Sequence, residues 1–175
     1  LTKTLSIRSI TAMRDGALIL GTEGTTNLRI TKSDPRRAIP HVFEGRHASI
    51  ASVLEVPDHE LVFCENGSGL VVPGRGDFGT ARYGNQFPYP GHTLTALHAL
   101  GNGLVLGTGW DNALHFYDLQ HMEHRMLPLP NAQQLSYSED EINCSVRLPD
   151  GRFAIGTKRS GVFFYNATSG TWSSP

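Results

Sequence analysis

Apolar residues recur along this chain at alternate positions over short runs, and the runs end at Gly, Asp, Asn or Pro. Period-two spacing between turn formers predicts β-strands. No ten-residue segment carries a convincing helical period. The clearest stretch is Asp150–Tyr165, which reads as a turn, a strand, a Gly-Thr exit, a polar loop and a second strand. Near-copies stand at Asp15–Thr22 and Leu104–Thr108, with a degenerate version at Asp58–Glu65. Gly21, Cys64, Gly107 and Gly156 hold one position in these copies, at intervals of 43, 43 and 49 residues.

The strand before each copy (A) aligns Ile7, Ile50, Leu94 and Ile142, then Thr11, Leu54, His98 and Val146 four residues on. The column Ile10, Val53, Leu97 and Ser145 between them is not cleanly polar, so the A strands are expected to be buried on both faces. The small column Ser9, Ser52, Ala96 and Cys144 fits crowding where inner strands converge. Turns at Asp15-Gly16, Pro57-Asp58, Gly101-Asn102-Gly103 and Pro149-Asp150-Gly151 lead to B strands at Ala17–Leu20, Leu61–Phe63, Leu104–Leu106 and Phe153–Ile155. C strands follow at Leu28–Thr31, Leu70–Val72, Leu114–Tyr117 and Val162–Tyr165. Fainter D strands fall at Ala38–Phe43, at Ala81–Tyr83 or Phe87–Tyr89, and at Arg125–Leu129.

An interval of about 40–45 residues with several short strands per repeat predicts an all-β propeller of four blades of four antiparallel strands, or a four-blade portion of a larger propeller. A single domain over 1–175 is expected, with blades near 7–44, 50–90, 94–130 and 142–175. The fourth repeat shows no D strand of its own, and residues 1–6 have D-strand phase. The N-terminal strand is therefore expected to complete the last blade. If the array is incomplete, self-association or a second chain is expected instead.

Composition narrows the partners. Fifteen Lys and Arg balance 16 Asp and Glu, which leaves no global field for nucleic acid or an anionic membrane. No apolar run approaches the roughly 18 residues of a membrane helix. Cys64 and Cys144 fall at different repeat positions within strands and read as small buried residues, not a disulfide. Asn66, Asn143 and Asn166 each open an N-x-S/T pattern, a hint of secretion that leaves the compartment open.

Asp150–Tyr165 with Asn166 resembles the repeat of two-component-regulator sensor propellers: Asp-x-Gly, a hydrophobic pair, Gly-Thr, then Gly and a strand ending in Tyr-Asn. More weakly, Gly91-His92 through Phe116-Tyr117-Asp118 resembles a WD repeat, with Tyr117-Asp118 where Trp-Asp would close it. The resemblance implies a binding platform and transfers no catalytic residue.

Ligands of such folds sit by analogy on the rim formed by the D–A and B–C loops. There the chain places Glu23, Glu65, Trp110, Asp111, Asn112, Lys158 and Arg159, while Arg8 aligns with Thr95 and Asn143 at the second residue of an inner strand. Trp110 stands out, because an indole in a polar loop costs solvation unless it packs or binds. Lys158 and Arg159 suit an anion or a partner carboxylate. His121-Met122-Glu123-His124, with His115 nearby, lacks three converging ligands, so no metal and no cofactor is expected. Gly74–Gly79 matches G-x-G-x-x-G without a following helix, and Arg75-Gly76-Asp77 within it reads as turn chemistry. Asn131–Glu141, the longest connection, is a candidate lid whose simpler reading is a solvated acidic loop. These residues predict a non-enzymatic module that recognises a protein partner or small ligand on its rim. The alternatives are an extracellular sensor for a small molecule or glycan, and a lyase or glycosidase using Glu23, Glu65 and Asp111.

Overall fold

A computed structural model describes residues 6–23, 27–41, 49–57, 59–65, 69–72, 94–121, 123–131 and 140–174. The predicted D strand at 81–83 or 87–89, the Arg75-Gly76-Asp77 run and most of the 131–141 connection lie outside them. The chain divides into two compact units, Leu1–Leu94 and Thr95–Pro175.

In the first unit, β1 (Ile7–Ala12), β2 (Leu18–Thr22), β3 (Asn27–Thr31) and β4 (Asp34–His41) form one antiparallel meander. The next sheet orders β5 (Ile50–Val56), β6 (His59–Glu65) and β7 (Gly69–Val71). Pro35 and Pro40 sit on β4, an outer strand of its sheet, where a missing N–H is tolerated. The A–B turn is closed by Asp15, whose Oδ1 accepts from the Ala17 N–H at 2.8 Å, with Gly16 at a φ of 81° that a side chain would strain. Ile19, Ile50, Val53, Phe63 and Val71 pack into one core between the two sheets.

The third sheet, which lies in the second unit except for Leu94, is formed by β8 (Leu94–Gly101), β9 (Leu104–Gly109), β10 (Ala113–Asp118) and β11 (Glu123–Pro128). The fourth holds β12 (Ile142–Arg147), β13 (Phe153–Thr157), β14 (Val162–Asn166) and β15 (Thr171–Ser173). Leu106, Leu114, Phe116, Phe153, Ile155 and Tyr165 share the core between these sheets, with Trp172 packed against it.

β15 corrects one expectation. The fourth repeat has an outer strand of its own, Thr171–Ser173 beside β14 with Tyr165 opposite Trp172; the N-terminal strand expected there falls on residues 1–5, which lie outside the described residues. The Asn166–Gly170 turn makes this possible: Asn166 Oδ1 accepts from Thr168 and Ser169, and Gly170 supplies a φ of 69°. At three residues the strand is too short for period-two reading to register it.

A second correction concerns burial. β1 and β12 are not buried on both faces: Ile10 is 65% exposed and Val146 55%. Cys144, expected in the interior, is an exposed free thiol, while Cys64 is buried. Each exposed residue lies on the face of its sheet turned away from the sheet it packs against.

A register shift recurs near the start of β1, β5 and β12, between Ile7 and Ser9, Ile50 and Ser52, and Ile142 and Cys144. Beyond the bulge, Ser9 faces Gly21, Ser52 faces Cys64 and Cys144 faces Gly156. The small column and the glycine column are thus cross-strand partners, which accounts for both.

Candidate functional site

On the second unit the B–C loops and the D–A connection are stitched together by backbone hydrogen bonds. The Ile142 N–H donates to the Asp111 carbonyl at 2.8 Å, and the Lys158 N–H to the Glu141 carbonyl at 2.9 Å. Leu129 N–H donates to the Asn112 carbonyl at 2.8 Å. Trp110 and the Lys158–Arg159 pair therefore stand on one continuous path of covalent and hydrogen bonds, Trp110–Asp111 to Ile142–Glu141 to Lys158–Arg159. Trp110 remains 43% exposed, and Lys158 and Arg159 are both exposed.

Asp140 holds this rim from beneath and was not legible as a site residue. It is 1% exposed, which corrects the reading of its segment as a solvated acidic loop at this position. Oδ1 accepts from the backbone N–H groups of Arg159 at 2.8 Å and Ser160 at 3.3 Å, and Oδ2 accepts from Asn131 Nδ2 at 2.8 Å. Asn131 Nδ2 also reaches Ser160 Oγ. Burial works against the charged carboxylate, but the hydrogen bonds from Ser160, Asn131 and the Arg159 and Ser160 backbones outweigh it. They hold the carboxyl down at about 2. Glu141 beside it accepts weakly from Lys158 Nζ at 3.4 Å.

Asp111 is likewise interior, at 1% exposure. Its Oδ1 accepts from the Ala113 N–H at 3.2 Å and its Oδ2 lies 2.5 Å from His115 Nε2. His115 Nδ1 in turn lies 3.0 Å from His124 Nε2, and the His124 ring stacks on Tyr117 with centroids 4.6 Å apart. The chain Asp111–His115–His124 links loop, C strand and D strand. Its ring nitrogens are directed at one another, and no metal-holding group of three or more His, Cys, Asp or Glu occurs among the described residues. His121 is paired elsewhere, with Asp118 Oδ2 at 2.8 Å, which raises the imidazole; the His121 backbone N–H, and after it the ring, lower the Asp118 carboxyl.

A third polar knot joins the A strands of the third and fourth sheets. Ser145 Oγ lies 2.7 Å from both His98 Nε2 and Thr108 Oγ1. Burial, with the nearby Arg147 charge, lowers the His98 pKa and favours the neutral ring.

On the first unit, Arg8 and Glu23 bond to each other, and the hydrogen bond from Arg8 is the main cause of a lowered Glu23 pKa. Arg8 occupies the bulge of β1 and Asn143 that of β12; Asn143 is exposed, whereas Thr95 Oγ1 bonds the Thr108 carbonyl at 3.4 Å. Glu65 closes β6 opposite Ile50. At the other end of the first sheet a shallow depression of about 490 Å³ is lined by Asp15, Ala17, Thr31, Lys32 and Ser33. Asp15 there is paired with Arg29 at 2.5 Å.

No family model matches this chain, and no curated protein matches it. Solved structures do. The extracellular domain of BT4673 from B. thetaiotaomicron, assigned as a one-component system, superposes with a TM-score of 0.65 at 15% identity over 99% of this chain and 22% of that one. The WD40 β-propeller domain of Doa1 gives 0.63 at 14% identity over 96% and 52%. The Pan2 WD40 domain of Neurospora crassa gives 0.63 at 15% over 97% and 49%. The chain thus spans between about a fifth and about a half of the structures it resembles. With its four antiparallel sheets, this likeness establishes the chain as an all-β protein of the β-propeller fold.

Proposed function

We propose that the chain is a non-enzymatic recognition module whose partner contacts the second-unit rim through Trp110, Lys158 and Arg159, with Asn112 beside them. The observation that carries this is an exposed indole and two exposed cations mounted on one hydrogen-bonded frame. Preorganised loops lose less conformational entropy on binding, and Trp and Arg are the side chains that contribute most per contact. Arg159 is suited to a carboxylate because its guanidinium offers a planar fork of donors, and its backbone is pinned by Asp140. The favoured partner is therefore an acidic segment of another protein carrying an apolar anchor for Trp110. Asp111 supports the frame from inside, and the Arg8–Glu23 pair and Glu65 are secondary contacts on the first unit.

The likeness to an extracellular domain of a one-component system supports keeping a small-molecule sensor as the second reading. The enzymatic reading has less support, since Glu23 is paired with Arg8 and Asp111 with His115.

An array of immobilised acidic, neutral and basic peptides tests the first reading. The wild type is expected to select acidic peptides containing an aromatic or aliphatic anchor. Trp110→Ala is expected to weaken retention at least about tenfold, the loss of one central anchor. Arg159→Glu should abolish the preference for acidic sequences and its salt dependence. If Trp110→Ala leaves every retained peptide unchanged, the rim reading fails.

A further inference from the structure

The hairpin joining β3 and β4 concentrates positive charge. Residues 29–37 hold Arg29, Lys32, Arg36 and Arg37, four of the chain's 15 basic residues, against the single acidic residue Asp34. Asp34 pairs with Thr31 across the turn, and pairing resumes with Ala38 opposite Ile30. Pro35, Arg36 and Arg37 thus have no opposite residue on β3 and stand as a bulge, a device that re-aims side chains. Lys32, Arg36 and Arg37 are exposed, and none of them makes an ion pair or a side-chain hydrogen bond among the described residues.

The bulge adjoins the depression of about 490 Å³ lined by Asp15, Ala17, Thr31, Lys32 and Ser33. Arg36 is three residues from Ser33, a span of at most about 11 Å along the backbone. Lys32 lies across the A–B turn: a Cβ built on Gly16 would meet its Cδ at 3.1 Å. The carboxylate of that turn, Asp15, is neutralised by Arg29. Arg14 before it is offset by Glu55, whose Oε2 accepts from the Arg14 backbone N–H at 2.7 Å. Lys32, Arg36 and Arg37 against the exposed Asp34 therefore leave two positive charges without a counter-charge. Thr31 Oγ1 and Ser33 Oγ, 3.2 Å apart, add hydroxyls to the same lining, and among its described residues only Ala17 is apolar.

We propose that this hairpin binds a phosphate monoester of a sugar or other polyol. Lys32, Arg36 and Arg37 take the phosphate, and Thr31, Ser33 and Asp15 take the hydroxyls. A phosphate monoester carries about −1.5 to −2 at pH 7, which matches the charge left over. The guanidinium fork suits its oxygens, and the lysine adds a point charge already laid in place over Gly16. A lining of carboxylate and hydroxyls fits a hydroxylated body and offers nothing to an acyl chain, so the source is a soluble ester and not a lipid headgroup. Arginines on an outer strand also keep a sheet edge from pairing. That role calls for neither the hydroxyls nor a lysine held on the neighbouring turn.

NMR titration of the isotope-labelled full chain with glycerol phosphate tests the site. The ester is expected to shift the backbone amides of residues 15–17, 31–34 and 36–38 saturably in the millimolar range, and glycerol to shift none of them. Arg36→Gln/Arg37→Gln should raise the Kd at least about tenfold and Lys32→Gln several-fold, with the remaining resonances unmoved. Vesicles of phosphatidylcholine carrying phosphatidic acid, whose headgroup is the same ester, should retain no more protein than phosphatidylcholine alone. The absence of a saturable shift in the hairpin, or an equal response to glycerol, overturns the site. So does an unchanged Kd in either variant; where the arginine variant aggregates, Lys32→Gln alone decides. Retention on the phosphatidic acid vesicles overturns the soluble source.

Discussion

Gly21→Ala is expected to destabilise the protein by about 3 kcal/mol, whereas Gly156→Ala, at the same place in the repeat, should cost less than about 1 kcal/mol. The motif is shared but the surroundings are not. A Cβ at Gly21 would lie 2.4 Å from the Ile50 carbonyl oxygen and 2.4 Å from Ser9 Oγ. The carbonyl belongs to the neighbouring sheet, so relief requires moving β5 and the Ile19–Ile50–Val53 core packed with it. At Gly156 the nearest atom is Cys144 Sγ at 2.7 Å, on an exposed side chain that can rotate away. Replacing glycine also removes unfolded-state freedom, a gain of about 0.4–1 kcal/mol at either position that is comparable to the Gly156 cost and small beside the Gly21 cost. Urea denaturation of the two variants measures the difference. Adding Ser9→Ala to Gly21→Ala separates the two clashes. Ser9 Oγ is buried and has no hydrogen-bond partner among the described residues, so its removal should recover only a minor part of the loss. Full recovery would place the strain within the first sheet and not between sheets.

That contrast shows what the sequence exposes and what it hides. The Gly-Thr exit was legible because four copies repeat it, and with it came the strands, the turns and the all-β fold. Its physical reason was not legible. The small residues Ser9, Ser52 and Cys144 were attributed to crowding of inner strands, but the register pairs them with Gly21, Cys64 and Gly156 across a bulge. In the second sheet Cys64 takes the glycine position because its Sγ has a use: it accepts from the Leu94 N–H at 3.3 Å. β15 escaped notice for want of length, and the exposure of Ile10 and Val146 because an apolar pattern records what a face is suited to, not what covers it. At the candidate site, residue type and loop position single out Trp110, Lys158 and Arg159 as candidates. Asp111 was counted among them on the same grounds, yet its carboxylate is turned inward to Ala113 and His115. Asp140 was missed because its partners Asn131, Arg159 and Ser160 are distant in sequence, and no local pattern announces a carboxylate that accepts from another loop.

Asp140→Asn is expected to lower stability at neutral pH by about 2 kcal/mol and to flatten the acid side of the stability profile. The carboxyl stands at about 2 in the folded chain against 3.8 for the free side chain. A carboxyl held down by folding stabilises when ionised. Its contribution is complete above about pH 5 and is lost as pH falls through 3.8 and past 2. That displacement is equivalent to about 2.5 kcal/mol. Asparagine keeps an acceptor for the Arg159 and Ser160 N–H groups but presents its own N–H₂ to Asn131 Nδ2, donor against donor. Denaturation at pH 7 and pH 3 checks this. The gap between wild type and variant should narrow to roughly half at pH 3 and close below pH 2, as the native carboxyl is itself protonated. An equal gap at both values would mean that the geometry of the hydrogen bonds, and not the charge of the acceptor, holds the loop. The same substitution should loosen the turn that carries Arg159, so its effect on acidic-peptide retention should exceed that of a surface change of equal charge such as Glu123→Gln. Glu123 lies exposed on β11, in register with Asp118 at the strand end. A stabilising carboxylate and a recognition loop would then be one device: the buried negative charge fixes where the exposed positive charge stands.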